Sequence, residues 1–118
     1  MKWILRNCFN RCSAYLELEG GVADTFVLSY LADILPPVVQ NKFGSLGWIP
    51  TLTLTCNIRQ LPKTNLLFID GHAKDISNGY FEQDCCIWDM DGNLVATSRP
   101  VSYTHLRAHE TLRYLVCR

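Results

Sequence analysis

Polar and apolar residues alternate with a period of two through most of the second half of the chain. Between Ile49 and Gln60, Leu52, Leu54, Cys56 and Ile58 fall on one face and Thr51, Thr53, Thr55 and Asn57 on the other. That is the pattern of a half-buried strand, and threonine favours the extended backbone. Leu61-Pro62 opens a connection, and Leu66 to Asp75 predicts a second strand. Ser77-Asn78-Gly79 is a turn signal, Tyr80 to Asp89 a third strand, Asp91-Gly92 a tight turn, and Leu94 to Arg99 the start of a fourth. Upstream the pattern is mixed. Ala14 to Glu19 alternates as a strand and stops at Gly20-Gly21. Then Val27, Leu28, Leu31, Ile34 and Leu35 recur at three- and four-residue spacings behind Asp24, a natural N-cap, which predicts a helix over Asp24 to Leu35. Pro36-Pro37 breaks or kinks it, with room for one more turn from Val38 to Phe43. Residues 1–13 carry no clear period and read as a linker or an arbitrary start. One helix ahead of an antiparallel meander predicts the α+β class.

Composition narrows the function without naming it. A chain of 118 residues that is 48% apolar supports one domain with a modest core. No run approaches the roughly 18 apolar residues of a membrane span, and the apolar patch at Met1–Leu5 is too short for a secretory signal. Eleven basic and 11 acidic residues cancel, which leaves no electrostatic case for nucleic acid. The six cysteines do not form a disulfide framework. Cys85 and Cys86 are adjacent in a strand and point to opposite faces, so they cannot act as one ligand pair, and Cys8 and Cys12 lack finger-spaced partners. They read as free thiols in a reducing, cytoplasmic setting.

The last eighteen residues, VSYTHLRAHETLRYLVCR, depart from the strand pattern. They resemble a transposon-type sequencing adapter translated in one frame, so residues 101–118 read as an adapter-derived tail. The His105, His109 and Glu110 spacing, which otherwise suits a metal on one helix face, is then accidental. Without the tail's three basic residues and one acid, eight basic and ten acidic residues remain. On this reading only the first base of codon 100 is native. A glutamine codon starts with C as a proline codon does, so Pro100 is read as concealing a native Gln; His, Arg and Leu codons also fit.

Few residues announce chemistry. The segment Asp89 to Asn93, DMDGN, opens like a calcium loop, but Leu94 stands where the glycine belongs and Pro100 where a closing glutamate would be; a hairpin turn fits better. No serine has a nucleophile-elbow context and no glycine-rich phosphate cradle exists. His72 lies in a predicted strand with no obvious partner.

LSYLADILPP, then GWIPTLTLT, a strand-turn-strand and WDMDGNLVATSR together resemble the C-terminal module of the acyl-CoA thioesterase II-like family. The resemblance covers Ala14 to Arg99 and implies a hotdog fold, an antiparallel sheet wrapped around one central helix, over residues 14–100. It implies hydrolysis of acyl-CoA to free acid and CoA by water. It needs no cofactor or metal, and a second hotdog module in the same chain or a homodimer is the expected partner. In that family an Asp, a Thr or Ser, and a Gln orient and activate the water. Asp33 and Thr51 match the first two, and Pro100 stands where Gln is expected. Proline offers no amide, so activity is expected to be impaired in this chain. The alternative is a non-catalytic hotdog that pairs or binds acyl groups. A hotdog dehydratase fits less well, since the helix lacks the His that chemistry needs.

Overall fold

The computed structural model describes residues 2–8, 10–44 and 47–104. Among these residues six strands form one antiparallel sheet: β1 Lys2–Cys8, β2 Arg11–Glu17, β3 Thr51–Ile58, β4 Leu66–Ser77, β5 Tyr80–Asp89 and β6 Leu94–Tyr103, in the spatial order β1-β2-β4-β5-β6-β3. Two helices, α1 Thr25–Leu31 and α2 Val39–Phe43, lie between β2 and β3 in the chain. The α+β class is as the sequence implies.

The core follows from the two periodicities. Ala14 and Leu16 of β2, Leu67 and Ile69 of β4, Phe81 and Ile87 of β5, and Ala96 of β6 are buried on one face of the sheet, and Val95, at the irregularity in the β5–β6 pairing, is buried in the same cluster. Leu28 and Leu31 of α1 are buried in the same cluster, with Val27 and Ile34 packed partly against it. The apolar stripe of the helix thus serves the face it was expected to serve. Asp24 caps the helix: its Oδ1 accepts from the Val27 N–H at 2.9 Å. The helix is shorter than expected, ending at Leu31 with Ala32 as C-cap. Asp33 and Ile34 continue as a tighter turn, bonding back to Tyr30 and Leu31 carbonyls at 3.3 and 3.4 Å. Two prolines ahead remove the donors that another α-turn would need.

The sequence reading is corrected at both ends of the sheet. Residues 1–13 read as a linker or an arbitrary start, but β2 itself begins at Arg11, and Lys2–Cys8 forms β1, paired with β2 from Lys2↔Glu17 to Cys8↔Arg11. Its composition, KWILRNC, lacks a clean alternation, so its pairing with β2 rather than its own pattern reveals it. At the other end β6 does not stop at Arg99 but runs to Tyr103, with Ser102 opposite both Thr51 and Phe81. Residues 101–103 were expected to depart from the strand pattern. In place they keep the period of two, Ser102 turned inward and Tyr103 outward beside Tyr80. His105, His109, Glu110 and Cys117 lie outside the described residues.

The DMDGN segment is a turn. Asp89 accepts from the backbone N–H groups of Lys63, Asp91 and Asn93 and from the Asn93 amide, at 2.9 to 3.2 Å. Burial raises its carboxyl pKa, but the donors from Asn93, Lys63 and Asp91 outweigh that and hold it below the ordinary range.

Candidate active site

Asp33 and Thr51 lie eighteen positions apart in the chain and meet in space. The Thr51 hydroxyl donates to Asp33 Oδ1 at 3.2 Å. Each is placed by a local rule. Asp33 follows the end of α1, where the backbone leaves the helix ahead of Pro36-Pro37. Thr51 is the first residue of β3, immediately before the irregularity that separates it from Thr53 in the pairing with β6. Both side chains are exposed.

The pair sits on a cavity of about 500 Å³. The turn after α1, the approach to β3 and the inward faces of β5 and β6 line it, including Asp33, Trp48, Thr51, Phe81, Gln83 and Pro100. The three positions singled out in the sequence thus share one cavity. Pro100 is buried on β6 opposite Leu54 of β3. On its other side the β5–β6 pairing is interrupted between Glu82↔Val101 and Cys85↔Ser98, with the same register before and after. A residue without an N–H leaves that kind of gap in an interior strand. Position 100 therefore points its side chain into the cavity, but the proline there offers no polar atom to it.

Gln83 was missed by the sequence reading. It is 2% exposed and lies on the inward face of β5 between Phe81 and Cys85. The Val38 N–H donates to its Oε1 at 3.0 Å, and its Nε2 donates to Cys85 Sγ at 3.4 Å. The signal was available: a carboxamide at an inward position of an otherwise apolar alternation is unusual enough to need a partner. Ser98, also inward, donates to the Ala32 carbonyl at 2.6 Å.

Other candidates fall away from this cavity. His72 is exposed on β4 beside Asn10, with 3.4 Å between Nε2 and Nδ2. Cys12, Cys56, Cys85 and Cys86 are free thiols. Burial raises the thiol pKa of Cys12 to about 11 and pushes that of Cys85 up as well, which makes both poor nucleophiles. Among the described residues no group of three His, Cys, Asp or Glu side chains is placed to hold a metal. No helix among them is long and apolar enough to cross a membrane.

A family model described as the acyl-CoA thioesterase C-terminal domain matches residues 8–103. An uncharacterised protein of Mycobacterium tuberculosis is 28% identical over 82 residues, which is 70% of this chain and 28% of that protein. The chain therefore spans less than a third of the curated relatives it matches. A hotdog-fold protein of unknown function from Alicyclobacillus acidocaldarius superposes with a TM-score of 0.75 at 26% identity, covering 86% of this chain and 41% of that one. A hypothetical thioesterase from Streptococcus pneumoniae, solved with coenzyme A, superposes with a TM-score of 0.72 at 15% identity over 90% of this chain and 88% of its own. The fold is the hotdog.

Proposed function

The chain belongs to the acyl-CoA thioesterase C-terminal domain family, and from that premise we propose that it supplies Asp33 and Thr51 to the hydrolysis of acyl-CoA. Water attacks the thioester carbonyl carbon and passes its proton to the Asp33 carboxylate. The carbon–sulfur bond breaks, and the CoA sulfur leaves as the thiol once that proton is returned. Thr51 orients the water, and a donor at position 100 stabilises the oxygen on which negative charge develops. The observation that carries this reading is the 3.2 Å contact between Thr51 and Asp33 at a cavity that position 100 also lines.

Two features of this chain work against the reaction. Pro100 cannot donate, and Asp33 is open to bulk water rather than closed off with the substrate. A Gln at position 100 of the parent gene and a second hotdog module over the exposed β3 edge would remove both obstacles. The partner is another module of the same chain or a second copy. Residence in the cytoplasm and an adapter origin for residues 101–118 belong to the same proposal. The strand placement of residues 101–103 does not conflict with that origin, because a short run such as Val-Ser-Tyr with the right period can continue a strand already paired on both sides.

Pro100 also gives substance to a second reading, a hotdog that pairs or binds acyl groups without hydrolysing them. The nucleotide sequence across Arg99 to Thr111 separates the two. A native Gln codon favours hydrolysis and an apolar codon favours the binding module. The enzymatic test is release of CoA thiol from acyl-CoA by the paired protein carrying Gln at position 100. If Asp33→Asn turns over as fast as its parent, the proton acceptor lies elsewhere and the assignment fails.

A further inference from the structure

The backbone that carries Asp33 has few anchors of its own. α1 ends at Leu31, the turn bonds that follow are long at 3.3 and 3.4 Å, and Pro36 and Pro37 have no N–H to give. Yet the sheet grips this stretch at both ends. At its start the buried Ser98 hydroxyl on β6 holds the Ala32 carbonyl at 2.6 Å. At its end the buried Gln83 Oε1 on β5 holds the Val38 N–H at 3.0 Å. An N–H can only donate, so the carboxamide orientation is fixed: oxygen toward Val38, nitrogen toward Cys85 and Gly71. Gly71 of β4 completes the arrangement. A Cβ built there would lie 2.6 Å from Gln83 Nε2 and 2.9 Å from Leu35 Cδ1, so the glycine is the space in which the Gln83 side chain lies.

We propose that Gln83 and Ser98 are positioning residues that hold the Asp33–Val38 segment over the cavity from both ends, and that Gly71 is glycine because the Gln83 carboxamide occupies the room of its side chain. The inference rests on Asp33 being the functional carboxylate, but the hydrogen bonds it concerns can be read without turnover. A carboxamide acceptor is required at position 83, and bulk alone does not replace it. Loss of the Val38 anchor frees the far end of the segment and alters the Asp33–Thr51 contact at the near end.

The test is amide hydrogen exchange and side-chain NMR on the full chain. In Gln83→Met, which keeps the bulk and removes the acceptor, the Val38 amide exchanges about tenfold faster or more relative to the core amides of Ile69 and Ile87. The Asp33 carboxyl and Thr51 resonances move with it. Gln83→Glu keeps an acceptor and restores both readouts. Gly71→Ala leaves Gln83 in the sequence but displaces it, and so behaves as Gln83→Met does. Ser98→Ala moves the Asp33 resonances from the other end. If Gln83→Met does not fold, Gln83→Glu decides: parental protection at Val38 supports the clamp. Unchanged Val38 exchange in Gln83→Met, a Gln83→Glu variant that does not protect Val38, or Asp33 and Thr51 resonances that ignore every variant overturns it. Activity that survives Asp33→Asn would instead defeat the hydrolytic assignment and leave these exchange results standing.

Discussion

Strands β3 and β5 carry the same kind of alternation and meet opposite fates. In β5 every second side chain, from Phe81 through Gln83, Cys85 and Ile87 to Asp89, is buried. In β3 the first half of the matching set is uncovered, Leu52 being 53% exposed and Leu54 40%, while Cys56 and Ile58 are half-buried; among the described residues the strand has no neighbour on one side. Periodicity specifies which residues share a face. It does not specify whether anything lies on that face. Here the sheet order places β5 in the middle and β3 outermost, and the edge strand is the one that bears Thr51. The exposed apolar face and the exposed Asp33–Thr51 pair are two aspects of one unpartnered edge.

The largest expected effect tests whether that edge is catalytic. In the paired protein with Gln at position 100, Asp33→Asn should reduce CoA release by a hundredfold or more, on the order of what a positioned acid–base group contributes, while thermal stability stays near that of its parent. In the paired protein that keeps Pro100, Pro100→Gln should raise the rate by roughly a hundredfold, the usual value of one oriented donor. An equal rate with Pro and Gln would leave position 100 without a role.

The next test contrasts the two strands' neighbours in stability. Leu28→Ala opens a hole in the core that β5 shares and should cost about 2–5 kcal/mol in denaturant unfolding. Leu54→Ala on the exposed edge should change the isolated module by less than about 0.5 kcal/mol. Its effect should appear only as weaker association in sedimentation. A large loss for Leu54→Ala in the lone module would mean that the edge is already covered.

The smallest effect concerns acid. Asp84 is held below the ordinary range, first by the Arg99 hydrogen bond at 2.7 Å, against burial that raises it, and with further help from the Arg99 and Lys74 charges. Asp89 is lowered by its own donors against burial. A carboxyl with a depressed folded-state pKa stabilises the fold above its unfolded-state value and loses that contribution as pH falls through the folded one. The melting temperature should therefore fall below about pH 4. Asp89→Asn, at the covered end of β5, should flatten that dependence more than Asp84→Asn on the outer face, where Arg99 is half exposed and the pair is weakly coupled. Identical acid profiles for the two variants would mean that cover makes no difference to these carboxyls.

Much of the fold was legible in the sequence because it is local. The Asp24 cap, the Leu28–Leu31 stripe, the Asp91-Gly92 turn and the whole of Tyr80–Asp89 follow from short-range sterics and side-chain period. β1 was not, because a strand of mixed composition is defined by the partner it pairs with. The helix end was misplaced by four residues' worth of apolar spacing: Ile34 and Leu35 keep the stripe after the α-helical bonds have stopped. Asp33 and Thr51 were named through family likeness. Their contact, the cavity they share with position 100, and the grip of Gln83 and Ser98 on the turn between them could not be read from the chain alone. Alternation and capping depend on residues a few positions apart, and sequence determines them. Contacts such as Val38 to Gln83, 45 positions apart, depend on strand order. Only the tertiary structure decides that order, because burying the helix's apolar face selects one arrangement of strands whose individual periods would suit many.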